Sequence, residues 1–448
     1  MELKRKCEDE IKRWLKGNKK ALLVKGARQV GKTHIIRAVL NELECDYLEI
    51  NLIKAPEAVS ILEQASSADD LILGFSTISG KRLKKGESII FIDEVQKYKD
   101  MVTKIKFLAE EGSFRYVLSG SLLGVELSGL ESAPVGYLHI IDMFPLDFEE
   151  FLQITNITEE VTENLRHSFV NRKPVMDVIH QKMSDMFLRY LVVGGMPEAV
   201  KIFADTNNLN DVIDVHRDIK SLYKLDFTQY ETEDKKLLIS NAYDIIPSEL
   251  LKQNKRFFVS DLKQGKRFDR VQKTFLWLEN AGVSVPVYNS SEPKIPLKLS
   301  KKQSLFKLYL SDVGMLTTEY GMSTKRMLIN RDSNLNAGGI FENAIAQTLY
   351  SKKYDLYYYN SNRIGELDFL IEYNGKALPI EVKSGKKYTV HSALNKCINN
   401  PDYEIGEAIV FADCNVSVDD KIAYMPVYMS MFLDEDSGEG FDVKKIVF

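Results

Sequence analysis

The strongest constraint on the fold is a short apolar run that leads directly into a glycine-containing loop. Residues 21–24 read ALLV and predict a buried strand, and residues 26–33 read GARQVGKT, which fits G-x-x-x-x-G-K-[ST] at every fixed position. Residues 34–43 predict a helix immediately afterwards. In such a strand–loop–helix unit, backbone N–H groups and the helix start point at a bound anion. The sequence therefore predicts a nucleoside-triphosphate site that contains Gly26, Gly31, Lys32 and Thr33.

Side-chain chemistry assigns roles within this predicted site. The Lys32 ammonium would reach the outer phosphates, and the Thr33 hydroxyl would hold Mg²⁺. A second part of the site is expected where the apolar residues 89–92 lead into two carboxylates, Asp93 and Glu94. Asp93 would hold Mg²⁺ through water, and Glu94 would polarise the attacking water. Alone, the pair could be a solvated strand end, but a glycine loop about 60 residues upstream favours the catalytic interpretation.

Further strand-like runs at residues 47–52, 114–118 and 137–143 predict a parallel sheet of about five strands. Ser119 and Ser121 follow the second of these runs. Either serine could sense the γ-phosphate from the strand next to Asp93, but serine is also a common turn former, so both interpretations stay open. The chain has no N-K-x-D motif for guanine, which favours ATP over GTP.

Composition limits the remaining classes of protein. The chain has 448 residues, of which 44% are hydrophobic and 28% charged, and its formal net charge is −4. This length suggests about three domains, and this charge gives no general attraction to nucleic acid or an anionic membrane. No apolar stretch reaches a membrane-spanning length, the first residues lack the apolar core of a signal peptide, and four scattered cysteines form no C-x-x-C pair. A cytoplasmic location is expected, with the oligomeric state left open.

Several longer motifs resemble a large family of bacterial and archaeal AAA-type ATPases that carry a C-terminal domain of unknown function. The matching segments are GARQVGKT, IIFIDEVQ at 89–96, SGSLLG at 119–124, FPLDFEEFL at 144–152 and YLVVGGMPEAV at 190–200. The resemblance spans nearly the whole chain. One position departs from it, because many members have Gly-Arg or Gly-Lys where this chain has Gly136-Tyr137. A charge-stabilising finger is therefore unassigned, with Arg115 and Arg189 as candidates that are each also typical of structural arginines.

The expected domain limits are 1–155 for the P-loop ATPase core, 156–234 for a helical lid, 235–330 for a winged-helix-like module and 331–448 for a C-terminal α/β domain. Residues 194–197, Gly-Gly-Met-Pro, predict a sharp turn between lid helices. In the third segment, helices near 236–245, 259–264 and 267–280 precede two strands at 283–288 and 305–310, the pattern of a winged helix. Its basic face would contact DNA through Lys266, Arg267, Arg270 and Lys273, unless it is only a solvated helix face.

The C-terminal segment contains a strong hairpin signal. Asn374-Gly375 separates two alternating runs, and a two-residue turn would pair positions that sum to 749. One face of the hairpin is then apolar. On the other face Asp368 lies opposite Glu381, and Glu366 lies opposite Lys383. Because directly opposed like charges are destabilising, the first pair predicts a cation between the two carboxylates.

Mg²⁺ or Mn²⁺ is the cation that carboxylate oxygens favour. Asp368, the Glu381-Val382-Lys383 segment and a helical Glu342 together resemble the PD-(D/E)XK nuclease site, close to the archaeal Holliday-junction resolvase branch. In that resemblance Glu342, Asp368 and Glu381 would bind metal, and Glu381 and Lys383 would serve catalysis. The alternative is a nuclease fold kept as a binding module, whose acids form salt bridges.

The sequence thus predicts a multidomain α/β protein: an AAA-type parallel sheet with a lid, a winged-helix module and a restriction-endonuclease-like domain. The expected activity is Mg²⁺-dependent ATP hydrolysis coupled to a metal-dependent nuclease-like domain that acts on or binds DNA. The alternative is a nucleotide-dependent protein- or DNA-binding or signalling module with a catalytically silent nuclease fold.

Overall fold

The fold was analysed in a computed structural model, which describes residues 3–98, 100–121, 136–229, 233–252, 255 and 268–434. The α-helices are α1 (Cys7–Leu15), α2 (Lys32–Glu42), α3 (Glu57–Gln64), α4 (Ala68–Ser79), α5 (Met101–Glu111), α6 (Phe148–Phe151), α7 (Glu159–Val170), α8 (Asp177–Val193), α9 (Pro197–Thr206), α10 (Leu209–Gln229), α11 (Glu233–Leu251), α12 (Phe268–Asn280), α13 (Val313–Glu319), α14 (Gly321–Ile329), α15 (Gly338–Ser351) and α16 (Ser392–Ile398).

The strands are β1 (Ala21–Lys25), β2 (Tyr47–Asn51), β3 (Ile89–Asp93), β4 (Arg115–Gly120), β5 (Leu138–Asp142), β6 (Ser284–Ser290), β7 (Lys301–Leu310), β8 (Tyr357–Ser361), β9 (Gly365–Tyr373), β10 (Lys376–Lys383), β11 (Ala408–Ala412), β12 (Ser417–Asp419) and β13 (Ile422–Pro426). Short 3-10 helices cover Val95–Lys97, Leu152–Ile154, Leu297–Ser300, Pro401–Tyr403 and Val427–Phe432. None of the helices in these described ranges is long and apolar enough to cross a membrane.

The chain divides into two compact units, each with its own sheet. The P-loop unit comprises Met1–Leu146, Met196–Tyr243 and Asp269–Ser284, and the C-terminal unit comprises the other residues. The segment predicted as a lid is helical, and the boundary between the two units falls within it, before Met196. The four domain limits given above stay predictions.

The P-loop unit is built on a five-stranded sheet in the order β2-β3-β4-β1-β5. Every neighbouring pair in it is parallel, which confirms the predicted five-stranded parallel sheet. β1 lies in its interior with Leu22, Leu23 and Val24 fully buried. Burial of each such side chain contributes about 1.5–3 kcal/mol, so the apolar runs fix where the strands lie. Because the strands are parallel, all their carboxyl ends meet at one edge.

The C-terminal unit contains an eight-stranded mixed sheet in the order β12-β13-β11-β10-β9-β8-β6-β7. The predicted hairpin is present as β9 and β10, and its register runs from Lys376↔Tyr373 to Ile380↔Phe369. Asn374 and Gly375 both have positive φ, 48° and 69°, as a two-residue type I′ turn requires. The predicted sum of 749 is therefore confirmed.

Two strands of this sheet correct the expected wing. β6 and β7 are the strands predicted as the wing of a winged helix, but β6 pairs in parallel with β8 of the eight-stranded sheet. The predicted strand pair is present, because β6 and β7 are neighbours in the sheet. The pair is not a separate wing, because β6 also joins β8 and makes β7 an edge strand of the larger sheet. The helix predicted over 259–264 lies outside the described residues.

A double-glycine turn joins α8 to α9, as predicted. Gly194 has φ of 75°, and a Cβ there would lie 2.3 Å from the Asp312 carboxylate, so only glycine fits. Asp312 accepts hydrogen bonds from the backbone N–H groups of Gly195, at 2.6 Å, and Met315, at 2.8 Å. Asp312 thereby holds both the turn and the start of α13.

Candidate functional site

The phosphate-binding loop between β1 and α2 is shaped by a backbone contact. Gly26 has φ of 154°, and a Cβ there would lie 2.1 Å from the Met143 carbonyl oxygen. Gly31, at the start of α2, has φ of 98°. No side chain can replace hydrogen at Gly26 without moving the end of β5. Both fixed glycines of the motif are therefore required by conformation or space.

Lys32 is folded back onto its own loop. Its Nζ donates to the carbonyl oxygens of Gly26, at 3.0 Å, and Ala27, at 2.8 Å. Burial lowers the Lys32 pKa to about 8, although Glu94 and Asp93 favour the charged form. The ammonium thus lies within the loop where an anion would satisfy it better than two carbonyl oxygens do.

Asp93 is the centre of a buried hydrogen-bond cluster at the carboxyl edge of the sheet. Thr33 Oγ1 lies 3.1 Å from each of the two carboxylate oxygens of Asp93 and donates a hydrogen bond to them. Asn51 Nδ2, at 2.9 Å, and Ser119 Oγ also donate to this carboxylate. Three strands and the P-loop helix therefore meet at one carboxylate. A hydroxyl and a carboxylate side by side are hard oxygen donors that fit Mg²⁺. The sequence analysis did not predict Asn51 as a site residue. The only signal for it was its position at the end of β2.

Glu94 lies one residue further and belongs to a second cluster. It adopts a left-handed backbone conformation, φ 60°, which turns the chain away from β3. Gln96 Nε2 donates to the Glu94 carboxylate and to Ser121 Oγ, the latter at 3.3 Å. Ser119 thus contacts Asp93, whereas Ser121 contacts Gln96. Gln96 was not among the predicted site residues, although it ends the IIFIDEVQ segment.

The loop is also held from the helical part of the P-loop unit. Arg28 Nη1 donates to the buried Asp226 of α10 at 2.7 Å, and the Tyr223 hydroxyl donates to the Arg28 carbonyl at 3.3 Å. Burial raises the Asp226 pKa, while Arg28 opposes that rise. Gly282 follows α12 in sequence and has φ of 75°. A Cβ at this position would lie 2.9 Å from the Ala27 backbone nitrogen, so Gly282 lets the chain pack closely against the loop.

Other arginines have structural roles. The buried Arg5 donates from Nη1 to the Val30 carbonyl at 3.0 Å and from Nη2 to the Phe144 carbonyl at 2.6 Å, so it links the P-loop to the FPLDFEEFL segment. Arg115 begins β4, at the edge opposite the loop, and donates to the Leu15 carbonyl at 2.7 Å. Arg115 is thus not a source of charge at this site. Tyr137, which stands where many members of the resembling family have a basic residue, forms a hydrogen bond with Glu110.

The C-terminal unit holds the second predicted site, and lysines lie among its acids. Glu342, 3% exposed on α15, accepts from the Tyr309 hydroxyl at 3.0 Å and pairs with Lys255. Glu366 pairs with Lys307 at 2.7 Å. β7 thus contributes an ammonium group that the register of the hairpin did not predict.

The hairpin pair is the core of this cluster. The ladder ends at Ile380↔Phe369, and beyond it the Val382 N–H donates to the Asp368 carboxylate at 2.9 Å. Lys383 Nζ donates to Glu381 at 2.9 Å. Burial, and then Asp368, raise the Glu381 pKa well above its usual range, and a hydrogen bond joins the two groups. Burial alone would raise the Asp368 pKa, but Lys307, Lys255 and Lys383 hold it low.

These contacts test the predicted metal site. Within the described parts of the chain, no group of three or more His, Cys, Asp or Glu side chains is arranged to hold a metal ion. Glu342, Glu366 and Glu381 each contact an ammonium group, and a hydrogen bond joins Asp368 to Glu381. The carboxylates come together as predicted, but their arrangement does not fit a divalent cation.

The predicted DNA-binding face is only partly described. Lys266 and Arg267 lie outside the described residues, as does the side chain of Arg270. Lys273, on α12, is exposed.

Comparison with known families agrees with the geometry of the P-loop unit. The model of a family described as AAA domain matches residues 18–152, the range that contains all five strands of the parallel sheet and the P-loop. Residues 18–152 form an AAA-type P-loop ATPase domain. Two families described as domains of unknown function, DUF8612 and DUF4143, match residues 184–326 and 337–429. The model matched to residues 337–429 covers Glu342, Asp368, Glu381 and Lys383.

Solved structures are similar only at a distance. The Walker-type ATPase PABY2304 of Pyrococcus abyssi is 15% identical, with a TM-score of 0.42, and the match covers 71% of this chain and 96% of that one. The Hsp104–ADP complex of S. cerevisiae is also 15% identical, with a TM-score of 0.28 and coverage of 78% and 44%. Neither similarity is strong enough to bear on function. No curated protein matches the chain.

Proposed function

We propose that this protein binds and hydrolyses ATP with Mg²⁺ at the carboxyl edge of the five-stranded sheet. The observation that carries the proposal is the convergence of Thr33, Asn51 and Ser119 on Asp93, directly beside a complete phosphate-binding loop. The three donors come from three different elements that meet at the carboxyl edge of the sheet, where ligands bind in folds of this kind.

Each residue then has a defined task. Lys32 would leave the Gly26 and Ala27 carbonyl oxygens for the outer phosphates, a stronger charge-assisted interaction. Thr33 and Asp93 would hold Mg²⁺, which neutralises charge on the transferred phosphoryl group. Glu94 would accept a proton from the attacking water, and Gln96 would hold its carboxylate in place. Ser119 and Ser121 would lie near the γ-phosphate.

Two substitutions test this assignment. Lys32→Ala should abolish ATP binding, measured by isothermal titration. Glu94→Gln should bind ATP but lower the turnover rate by about 10²-fold or more. Glu87→Gln is the matched control, because Glu87 is exposed before the opposite end of β3. If turnover survives Glu94→Gln, Glu94 is not the base.

For the C-terminal unit, the geometry favours the second of the two functions predicted from sequence, a nucleotide-dependent binding module with a silent nuclease-like fold. Its support is the pairing of Glu342, Glu366 and Glu381 with lysines. A nuclease needs free carboxylate oxygens for its metal. The test incubates the protein with branched and single-stranded DNA, ATP and Mg²⁺ or Mn²⁺. The expected result is no cleavage by wild type or by Lys383→Ala. Cleavage by wild type that Lys383→Ala abolishes would establish the nuclease instead.

DNA is the proposed partner through Lys266, Arg267, Arg270 and Lys273, because four basic residues lie together in this stretch of sequence. If all four contact phosphates, the logarithm of affinity should fall with the logarithm of salt at a slope of about −3 to −4. Fluorescence anisotropy with a labelled duplex measures it. Binding that is unchanged when all four become glutamate would exclude this face. We also propose that the protein is located in the cytoplasm.

A further inference from the structure

Lys307, on β7, is the most buried charged group in the carboxylate cluster. Its side chain is 1% exposed, against 19% for Lys255 and 29% for Lys383. A lysine is almost never fully buried without compensation, because desolvating an isolated ammonium is very costly. The surroundings of Lys307 must therefore supply negative charge.

The contacts of Lys307 supply that charge. Its Nζ lies 2.7 Å from Glu366 Oε1, and Glu342 and Asp368 attract it as well. Its ammonium also lies over the Tyr358 ring, 5.0 Å from the centroid. Although burial opposes the charged form, these carboxylates raise the Lys307 pKa above its usual range. Lys307 is thus a permanent cation that three acids share.

Three ammonium groups already lie among the carboxyl groups of the cluster. Glu342 pairs with Lys255, Glu366 with Lys307 and Glu381 with Lys383. A divalent cation would add positive charge to a cluster in which three of the four carboxyl groups already contact a cation.

We propose that Lys307 is a built-in cation that takes the place of a divalent metal among Glu342, Glu366 and Asp368. The proposal rests on the silent nuclease-like fold proposed above and deepens it. It explains how the hairpin can place Asp368 beside Glu381 without a metal. It also identifies the residue whose loss should create a divalent-cation site, since removal leaves an uncompensated negative charge that Mn²⁺ can neutralise.

The experiment measures thermal unfolding by circular dichroism in nucleotide-free full-length chain, with and without about 1 mM Mn²⁺. Wild type should shift by less than about 1 °C. Lys307→Met should unfold at a lower temperature and gain about 5 °C or more with Mn²⁺, the size expected for an ion at about 100 times its Kd. The gain should disappear in Lys307→Met combined with Asp368→Asn. Lys307→Gln is measured in parallel, so that a folded variant is available.

Lys325→Met is the matched control, because Lys325 is another fully buried lysine of the C-terminal unit and bonds to the Val192 carbonyl and the Thr317 hydroxyl rather than to carboxylates. It should not respond to Mn²⁺. Two results would overturn the inference. One is a Mn²⁺ response of wild type that Asp368→Asn abolishes, and the other is the lack of a Mn²⁺ response in both Lys307 variants. DNA cleavage by wild type without divalent ions would instead refute the silent fold and leave the role of Lys307 intact.

Discussion

Lys325 makes a quantitative prediction about pH and stability. Burial lowers its pKa to about 7, with Asp312 opposing, whereas in the unfolded chain the ordinary value near 10.5 applies. Between these two values the unfolded state binds more protons than the folded state. Stability therefore rises with pH through this window, and the cost of the buried charge is fully present below pH 7. From pH 7 to pH 9 this one group should contribute about 2 kcal/mol of added stability.

The assay is urea unfolding at half-unit steps between pH 6.5 and 9.5, for wild type and Lys325→Met. The difference between the two proteins isolates Lys325, because all other titrating groups are shared. Both tryptophans, Trp14 and Trp277, lie in the P-loop unit, so tryptophan fluorescence reports the unfolding of that unit. An unfolding transition that is seen by circular dichroism but not by tryptophan fluorescence therefore reports the C-terminal unit. Curves that stay parallel from pH 7 to pH 9 would refute the reasoning, because Lys325 would then be charged in the folded state.

Three further predictions concern the P-loop unit. Gly26→Ala should abolish ATP binding or cost several kcal/mol of stability, whereas Gly136→Ala, which has open space around it and no positive φ, should change little; calorimetric titration and urea unfolding compare them. Arg28→Met should destabilise the P-loop unit by about 1–3 kcal/mol, measured by tryptophan fluorescence, because it leaves the buried Asp226 without its arginine, and adding Asp226→Asn should recover part of the loss. Gln96→Ala should lower ATP turnover about tenfold or more with unchanged ATP affinity, and equal turnover would show that Glu94 is held without it.

Local patterns made the P-loop and the hairpin predictable. The glycine motif and the apolar runs place each residue by its immediate neighbours, and Asn374-Gly375 determines a register that extends five residues away, to Phe369 and Ile380. The convergence of strand ends at Asp93 followed from the rule that parallel strands share an edge.

Partners that are far apart in sequence were not predictable. Arg28 meets Asp226 across 198 residues, and Lys307 meets Glu366 from a strand that was expected to form a separate wing. A charged residue in a strand pattern shows which face it lies on, but not which acid will face it. The metal expected between Asp368 and Glu381 was inferred without Lys307 of β7 and without Lys255, which are distant from the hairpin in sequence.

The position of Arg5 has a practical consequence for anyone who trims this protein. The AAA domain match begins at residue 18, so a fragment cut to that limit would contain every motif residue and would look complete. It would lack the side chain that joins the Val30 carbonyl of the P-loop to the Phe144 carbonyl, and it would also lack α1, which buries Ile11 and Trp14. Weak nucleotide binding by such a fragment would reflect the cut rather than the protein.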